Sequence, residues 1–404
     1  MVPAALLRFP RRYPLSLLII LIPLSLLVYS YWDPLRSQTS SLLPLPDWTS
    51  SKPPSSSIDS EHATLLLVTA YYPKLQSRLT PKLLNRVLSR IKTPLYIFTT
   101  PEIKPLLNVD SEFSVNINTS FASPLDIPPL EGVLESYERM SSRGREAGRR
   151  KTPETYALRN SKAYFLRTAI QNYINASTAS STPSYAFWID PTVLDELPSL
   201  SRWPDAIRLQ NAWVEGEAQT GTDMADLMMW PVETLPHSSL SLWSEGMGPI
   251  KVADNQAFST GSFFGGPTSA IEWYSRAFYA LHNHFLSQRQ FVGSDLALTN
   301  ALFLLQPHRF ITLWPSDPQN PAKGNCGPSK GLRSYPFHWT ASDKEREEIA
   351  KAWIWNARWK PWKVDWWNGR AGEKCGIVEI VGMRSLLERL FGKGWRPPGM
   401  SILV

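Results

Sequence analysis

The chain has 404 residues, 43% hydrophobic and 19% charged, with 35 prolines, 17 tryptophans and two cysteines. That apolar share excludes a wholly disordered protein, and two cysteines exclude a disulfide-dense scaffold. The formal net charge of +7, from 42 Lys+Arg against 35 Asp+Glu, leaves nucleic acid, a membrane surface and an anionic small ligand all open as partners.

Residues 1–12 are a short tail carrying Arg8, Arg11 and Arg12. Tyr13 to Trp32 contains no charge and is bracketed by aromatic residues, Tyr13 before and Tyr29, Tyr31 and Trp32 after. About 20 apolar residues in helix rise by roughly 30 Å, the thickness of the hydrocarbon core. Flanking arginines keep the tail cytosolic, and the run closes on YSYWDP without an A-x-A-like cleavage site. The expectation is an uncleaved signal anchor over 13–32, giving a single-pass type II membrane protein. Residues 33–62 are dominated by serine and proline, a composition that cannot bury enough apolar area to offset ordering entropy, and read as a stalk.

Residues 63–404 then form a domain in the lumen of the endoplasmic reticulum or Golgi, where nucleic acid drops out as a partner. Two sequons, at Asn118 and Asn175, agree with that compartment. Cys326 and Cys375 pair there as one disulfide, the alternative being two buried thiols.

Along this domain, Thr64 to Ala70 is an apolar run without helical period, the signature of a buried parallel strand. Leu79 to Ile91 carries a helical stripe, and Leu95 to Thr99 reads as the next strand. Strand, helix, strand is a βαβ unit, so the fold class is α/β with a mostly parallel sheet flanked by helices. Residues 123–153 read as a surface excursion and Tyr156 to Ile174 as one helix. Tyr185 to Ile189 is a strand ending at Asp190-Pro191. Phe258 to Phe264 is strand-like, and Thr268 or Ser269 caps a helix running to about Gln288. Gly293-Ser294-Asp295 opens a further helix to Leu305.

Asp190 sits where open α/β sheets bind their ligands, outside the carboxyl end of a strand. Between Trp188 and Pro191, it is a ligand for a divalent metal or an ordinary turn-former. Gly265 and Gly266 let backbone approach a bulky ligand or simply turn the chain. Asp295 is a helix cap or a base and acceptor-hydroxyl binder. Arg159 and Lys162, three apart on the expected helix, face a diphosphate or solvent. His282 and His284 diverge on a helix, and His338 is a weak metal candidate. The basic stretch Arg139 to Lys151 reads as a solvated loop. No Walker, zincin or nucleophile-elbow motif occurs.

Taken in order, Leu67-Val-Thr-Ala-Tyr-Tyr72, Tyr156 to Leu166 with its Ser161-Lys162, Phe187-Trp-Ile-Asp190, Gly261-Ser-Phe-Phe-Gly-Gly266 and Gly293-Ser-Asp295 resemble the HtrL/YibB proteins. The resemblance runs over about 64–313; 314–404, with Trp353, Trp355, Trp359, Trp362, Trp366 and Trp367, lies beyond it. That family is grouped with GT-A-type glycosyltransferases, so the resemblance implies a Rossmann-like nucleotide-sugar domain that uses Mn2+ or Mg2+. It implies Thr69, Ala70, Tyr71 and Tyr72 at the nucleotide, Lys162 near the phosphates and Asp190 at the metal or sugar, beside Trp188. It also implies Gly265, Gly266 and Asp295 around the transferred sugar and acceptor. Where the family has a small residue and glycine after W-x-D, Pro191-Thr192 stand here, and no second acid lies two positions from Asp190. The expected activity is transfer of a sugar from a nucleotide-sugar to a glycan, protein or lipid. The alternative is a non-catalytic glycan-binding or partner-organising protein of the same fold.

Overall fold

A computed structural model describes residues 64–76, 79–108, 115–143, 151–176, 182–194, 200, 203–250, 258–324, 326, 334–359 and 374–402. All of them belong to one compact unit, Asp59–Val404. The expected tail, anchor and stalk lie outside the described residues, among which no helix is long and apolar enough to cross a membrane.

The domain is built on β1 (Leu65–Tyr71), β2 (Leu95–Thr99), β3 (Val115–Asn118), β4 (Tyr185–Ile189), β5 (Met228–Met229), β6 (Phe263–Gly266), β7 (Phe310–Leu313) and β8 (Ile380–Gly382). They form an eight-stranded sheet in the order β3-β2-β1-β4-β6-β5-β7-β8. β1 pairs in parallel with β2 and β4, β2 with β3, and β5 with β7. β6 runs antiparallel to both β4 and β5, and β8 antiparallel to β7. The first half, 3-2-1-4, is the order of a doubly wound dinucleotide fold and places a topological switch point between β1 and β4.

The strand sequences are largely apolar where both faces are covered, edge strand β3, Val-Asn-Ile-Asn, being half-buried. Leu66, Val68 and Ala70 of β1 enter one core with Ala186 and Trp188 of β4, whereas Leu67 and Tyr71 enter the other with Phe187 and Ile189. This period of two assigns every strand residue to a face. The helices α1 (Pro81–Leu88), α2 (Leu134–Arg143), α3 (Pro153–Asn160), α4 (Lys162–Ala176), α5 (Pro191–Leu194) and α6 (Ala206–Thr220) lie in the first two thirds of the domain. They are followed by α7 (Thr268–Ser287), α8 (Asp295–Leu305), α9 (Tyr335–Trp339), α10 (Asp343–Trp359) and α11 (Met383–Phe391). Residues of α3, α4, α7 and α8 fill the first core, and residues of α1, α6, α9 and α10 the second, giving three layers.

Local chemistry sets the helix ends. Thr80 caps α1 by accepting from the Leu83 amide at 3.2 Å, with Pro81 at the first position. Asp205 accepts from the Arg208 amide at 2.8 Å to start α6, and Gly221, at φ 68°, ends it.

Four expectations need correction. The expected helix from Tyr156 divides at Ser161 into α3 and α4. Residues 123–153 are not a plain excursion, since Ile127, Leu130 and Tyr137 are buried there in short 3-10 turns and α2. β6 begins only at Phe263, because the carbonyl of Phe258 and the amide of Thr260 bond to residues 231–234 instead of to β4. Neither Thr268 nor Ser269 caps α7: their hydroxyls donate to the carbonyls of Pro183 and Ala225. The 314–404 segment is part of the same unit, supplying edge strand β8 and the disulfide Cys326–Cys375. Trp353 is buried in the second core, and of the clustered tryptophans it alone has a described side chain.

Candidate functional site

The carboxyl ends of β1 and β4 open on the switch point. Because β6 is antiparallel, its start, Gly261-Ser262, arrives at the same end. The amide of Asp190 donates to the carbonyl of Ser262 at 2.8 Å, holding the end of β4 to the segment leading into β6. Lys162, the first residue of α4, extends its Nζ to the Asp295 Oδ2 at 2.6 Å and to the Gly261 carbonyl at 3.2 Å. The pair is largely withdrawn from water, with side-chain exposures of 19% for Lys162 and 8% for Asp295. The same ammonium lies 5.9 Å from the Trp188 ring centre, at the outer reach of a cation–π contact. A Cβ on Gly261 would stand 3.0 Å from the Lys162 Nζ and 3.2 Å from the Asp295 Oδ2, so glycine lets the main chain lie directly against the pair. Five sequence-distant segments therefore meet at this end of the sheet.

Asp295 is not the cap of α8. Ser294 is, its Oγ accepting from the Ala297 amide at 3.4 Å, and Asp295 occupies the first helical position. There the amide dipoles stabilise a carboxylate. Tyr274 of α7 feels that charge: burial pushes its phenol well above the ordinary range, a hydrogen bond to Thr299 opposes this, and the Asp295 carboxylate adds to it. The Asp190 Oδ1 accepts from both the amide and the hydroxyl of Thr192, at 3.0 and 2.8 Å, which closes a turn into α5.

Other expected site residues serve the fold. Thr69 is buried, and its Oγ1 donates to the Ile189 carbonyl at 2.9 Å. Tyr71 is on the second-core face and donates to the Leu79 carbonyl. Tyr72 is on the first-core face, its ring 6.3 Å from that of Phe165, and burial followed by the Asp126 charge pushes its phenol up. Ala70 is wholly buried. The Gln76 side chain, which the sequence did not single out, closes the turn after β1, accepting from the Tyr72 amide and donating to the Ala70 carbonyl. Arg159 lies in the last turn of α3 and Lys162 starts α4, so they belong to two helices rather than to one face of a single helix. Gly265 and Gly266 lie inside the sheet: a Cβ on Gly265 would collide with the carbonyl of Ala186 and stand 2.7 Å from the Phe187 Cα. Their glycines are explained by strand packing rather than by a ligand.

Among the described residues, no group of three or more His, Cys, Asp or Glu is arranged to hold a metal ion. Asp190 brings one carboxylate, whose Oδ1 is engaged by Thr192; the Mn2+ or Mg2+ that the resemblance implies would take its other ligands from substrate phosphates and water. The histidines serve packing and loop contacts. His282 is fully buried against Tyr137, with Nε2 to Oη 2.8 Å, and His284 contacts Glu245 at 2.9 Å. Burial, with the charges of Arg346 and Arg208 adding, pulls His338 from 6.5 down to about 4. Glu245, in the connection from β5 to β6, also accepts from the amide and hydroxyl of Ser401, at 2.8 and 2.6 Å.

Asn118 is half-buried at the end of β3, donating to the Tyr96 hydroxyl, and Asn175 is exposed near the end of α4. Arg139 pairs with Glu135 on α2, and residues 144–150 of the basic stretch lie outside the described residues. A separate groove of about 560 Å³, crossed by the Arg167–Glu272 ion pair, lies beside Ser184 at the amino end of β4. No family model matches the chain, and no curated protein is significantly similar to it.

Proposed function

We propose that the chain is a GT-A-type, HtrL/YibB-like glycosyltransferase of the secretory pathway. It transfers a sugar from a nucleotide-sugar to a glycan, protein or lipid acceptor. The observation that carries the reading is the Lys162–Asp295 pair, 2.6 Å apart, at the carboxyl end of a sheet whose first four strands have the doubly wound order. A cation at that place offsets the charge that develops on a departing diphosphate. A carboxylate next to it orients an acceptor hydroxyl and accepts its proton. Trp188, two residues before Asp190 on the same strand face, supplies an apolar wall beneath the ammonium.

The compartment belongs to the same proposal. The uncharged run 13–32 anchors the chain, 33–62 is the stalk, and the luminal domain follows. The Cys326–Cys375 disulfide supports an oxidising lumen.

The test is donor hydrolysis by the purified full chain, with Asp190→Ala and Lys162→Met beside it. Loss of hydrolysis in both supports the reading, and hydrolysis at the parent rate in both overturns it. The second reading, a non-catalytic glycan binder, draws on the engagement of Asp190 by Thr192. Glycan binding without any calorimetric response to UDP or GDP, with or without Mn2+, favours it.

A further inference from the structure

The Lys162 ammonium has three hydrogens to donate, and two of its contacts are anionic or strongly polar, the Asp295 carboxylate and the Gly261 carbonyl. With 19% and 8% side-chain exposure, the ion pair is shielded from the water that weakens surface pairs. A diphosphate reaching Lys162 meets a cation already neutralised, and it brings further negative charge towards Asp295. We infer that Asp295 masks Lys162, so that a donor's diphosphate binds only by displacing the carboxylate from the ammonium. The inference rests on the nucleotide-sugar reading of the site.

The fold offers the displaced carboxylate a second partner. Asp295 is the first residue of α8, where unpaired amides and the helix dipole stabilise a negative charge without Lys162. The Gly261 main chain lies directly against the pair, since a Cβ there would be 3.0 Å from the nitrogen and 3.2 Å from the oxygen, and the pair's remaining exposure is on the Lys162 side, 19% against 8% for Asp295. The exchange links two events. While Lys162 holds Asp295, the carboxylate is engaged; once the diphosphate takes Lys162, the carboxylate is released to receive an acceptor hydroxyl. Asp295 thereby opposes donor binding and favours transfer, a combination that a purely structural ion pair does not have.

The discriminating measurement is isothermal calorimetry on the full chain in detergent, with UDP, GDP and inorganic pyrophosphate as probes. Asp295→Asn, close in size and without charge, is expected to bind the probes about tenfold more tightly than the parent while losing transfer. Lys162→Met is expected to bind at least about tenfold more weakly. Should the asparagine variant melt early, Asp295→Ser, a residue at ease in a first helical turn, repeats the comparison. Equal or weaker binding by the Asp295 variants, with binding still lost in Lys162→Met, overturns the masking and leaves the nucleotide-sugar reading standing. Absence of probe binding to the parent and to every variant overturns both.

Discussion

The Thr69 hydroxyl donates to the carbonyl of Ile189 at 2.9 Å, joining the end of β1 to the residue immediately before Asp190. The bond crosses the switch point itself, so the two strand ends that flank the crevice are held at a fixed spacing. Thr69→Val keeps the shape and removes the hydroxyl. It is expected to cost about 1 kcal/mol in urea unfolding, the net worth of one buried hydrogen bond. Thr69→Ser is expected to restore most of that loss, which the same titration reads.

Gly265 faces the carbonyl of Ala186 and the Cα of Phe187 too closely for any side chain. Gly265→Ala is expected to destabilise the domain by about 3 kcal/mol, the upper range for overpacking. The drop should appear in the unfolding midpoint and in soluble yield. A variant that melts with the parent but loses ligand binding would return Gly265 to the site and contradict its packing role.

His338 gives the domain an acid limit. It is 2% exposed, and burial with two nearby arginine charges lowers it from 6.5 to about 4. Between those values the unfolded chain binds a proton that the folded chain refuses, so stability rises with pH across the window and falls as pH is lowered through it. The full effect of this one group is about 3 kcal/mol. His338→Gln is expected to flatten stability measured between pH 4 and 6.5, while leaving its pH dependence above pH 7 unchanged, because the imidazole is neutral there in both the folded and the unfolded chain.

The disulfide joins Cys326 to Cys375 across a sequence separation of 49. Closing a loop of that length restrains the unfolded chain by about 4 kcal/mol in the loop-entropy account. A thermal melt in reductant, compared with one in its absence, is expected to show a lower midpoint. The Cys326→Ser, Cys375→Ser double variant should match the reduced parent and be indifferent to reductant.

The strands that carry the crevice are visible in the sequence because both their faces are buried. Tyr185 to Ile189 is a strand with those same limits, and Leu95 to Thr99 likewise. β3, Val-Asn-Ile-Asn, is half-buried throughout and alternates with asparagine, so no apolar run announces it. β5 is two residues long and takes its conformation from its neighbours, beyond the reach of any local pattern. Within the site, Asp295 stands out as a charge opening an apolar helix and Lys162 as a charge within the expected helix Tyr156 to Ile174, whose break at Ser161 the sequence does not announce. Gly261 does not stand out, because its contribution is a main-chain carbonyl and a missing Cβ, neither of which a residue type declares. The resemblance implies Thr69, Tyr71 and Tyr72 at the nucleotide, yet their hydroxyls bond to the backbone carbonyls of Ile189, Leu79 and Phe121. Only the tertiary fold supplies those acceptors.

The reversal of β6 bears on how such a protein can diversify. A connection between parallel strands has to travel the length of the sheet and return, so lengthening it disturbs a packed layer. β5 and β6 are antiparallel neighbours, and the chain between them leaves and re-enters the sheet at the same end. Glu245 ties that connection to Ser401 and His284, leaving Leu235, Leu242 and Met247 exposed on it. Insertions or substitutions there can reshape the rim of the crevice while the helices beneath stay in register. Selection can therefore vary that rim without altering the Lys162–Asp295 ion pair.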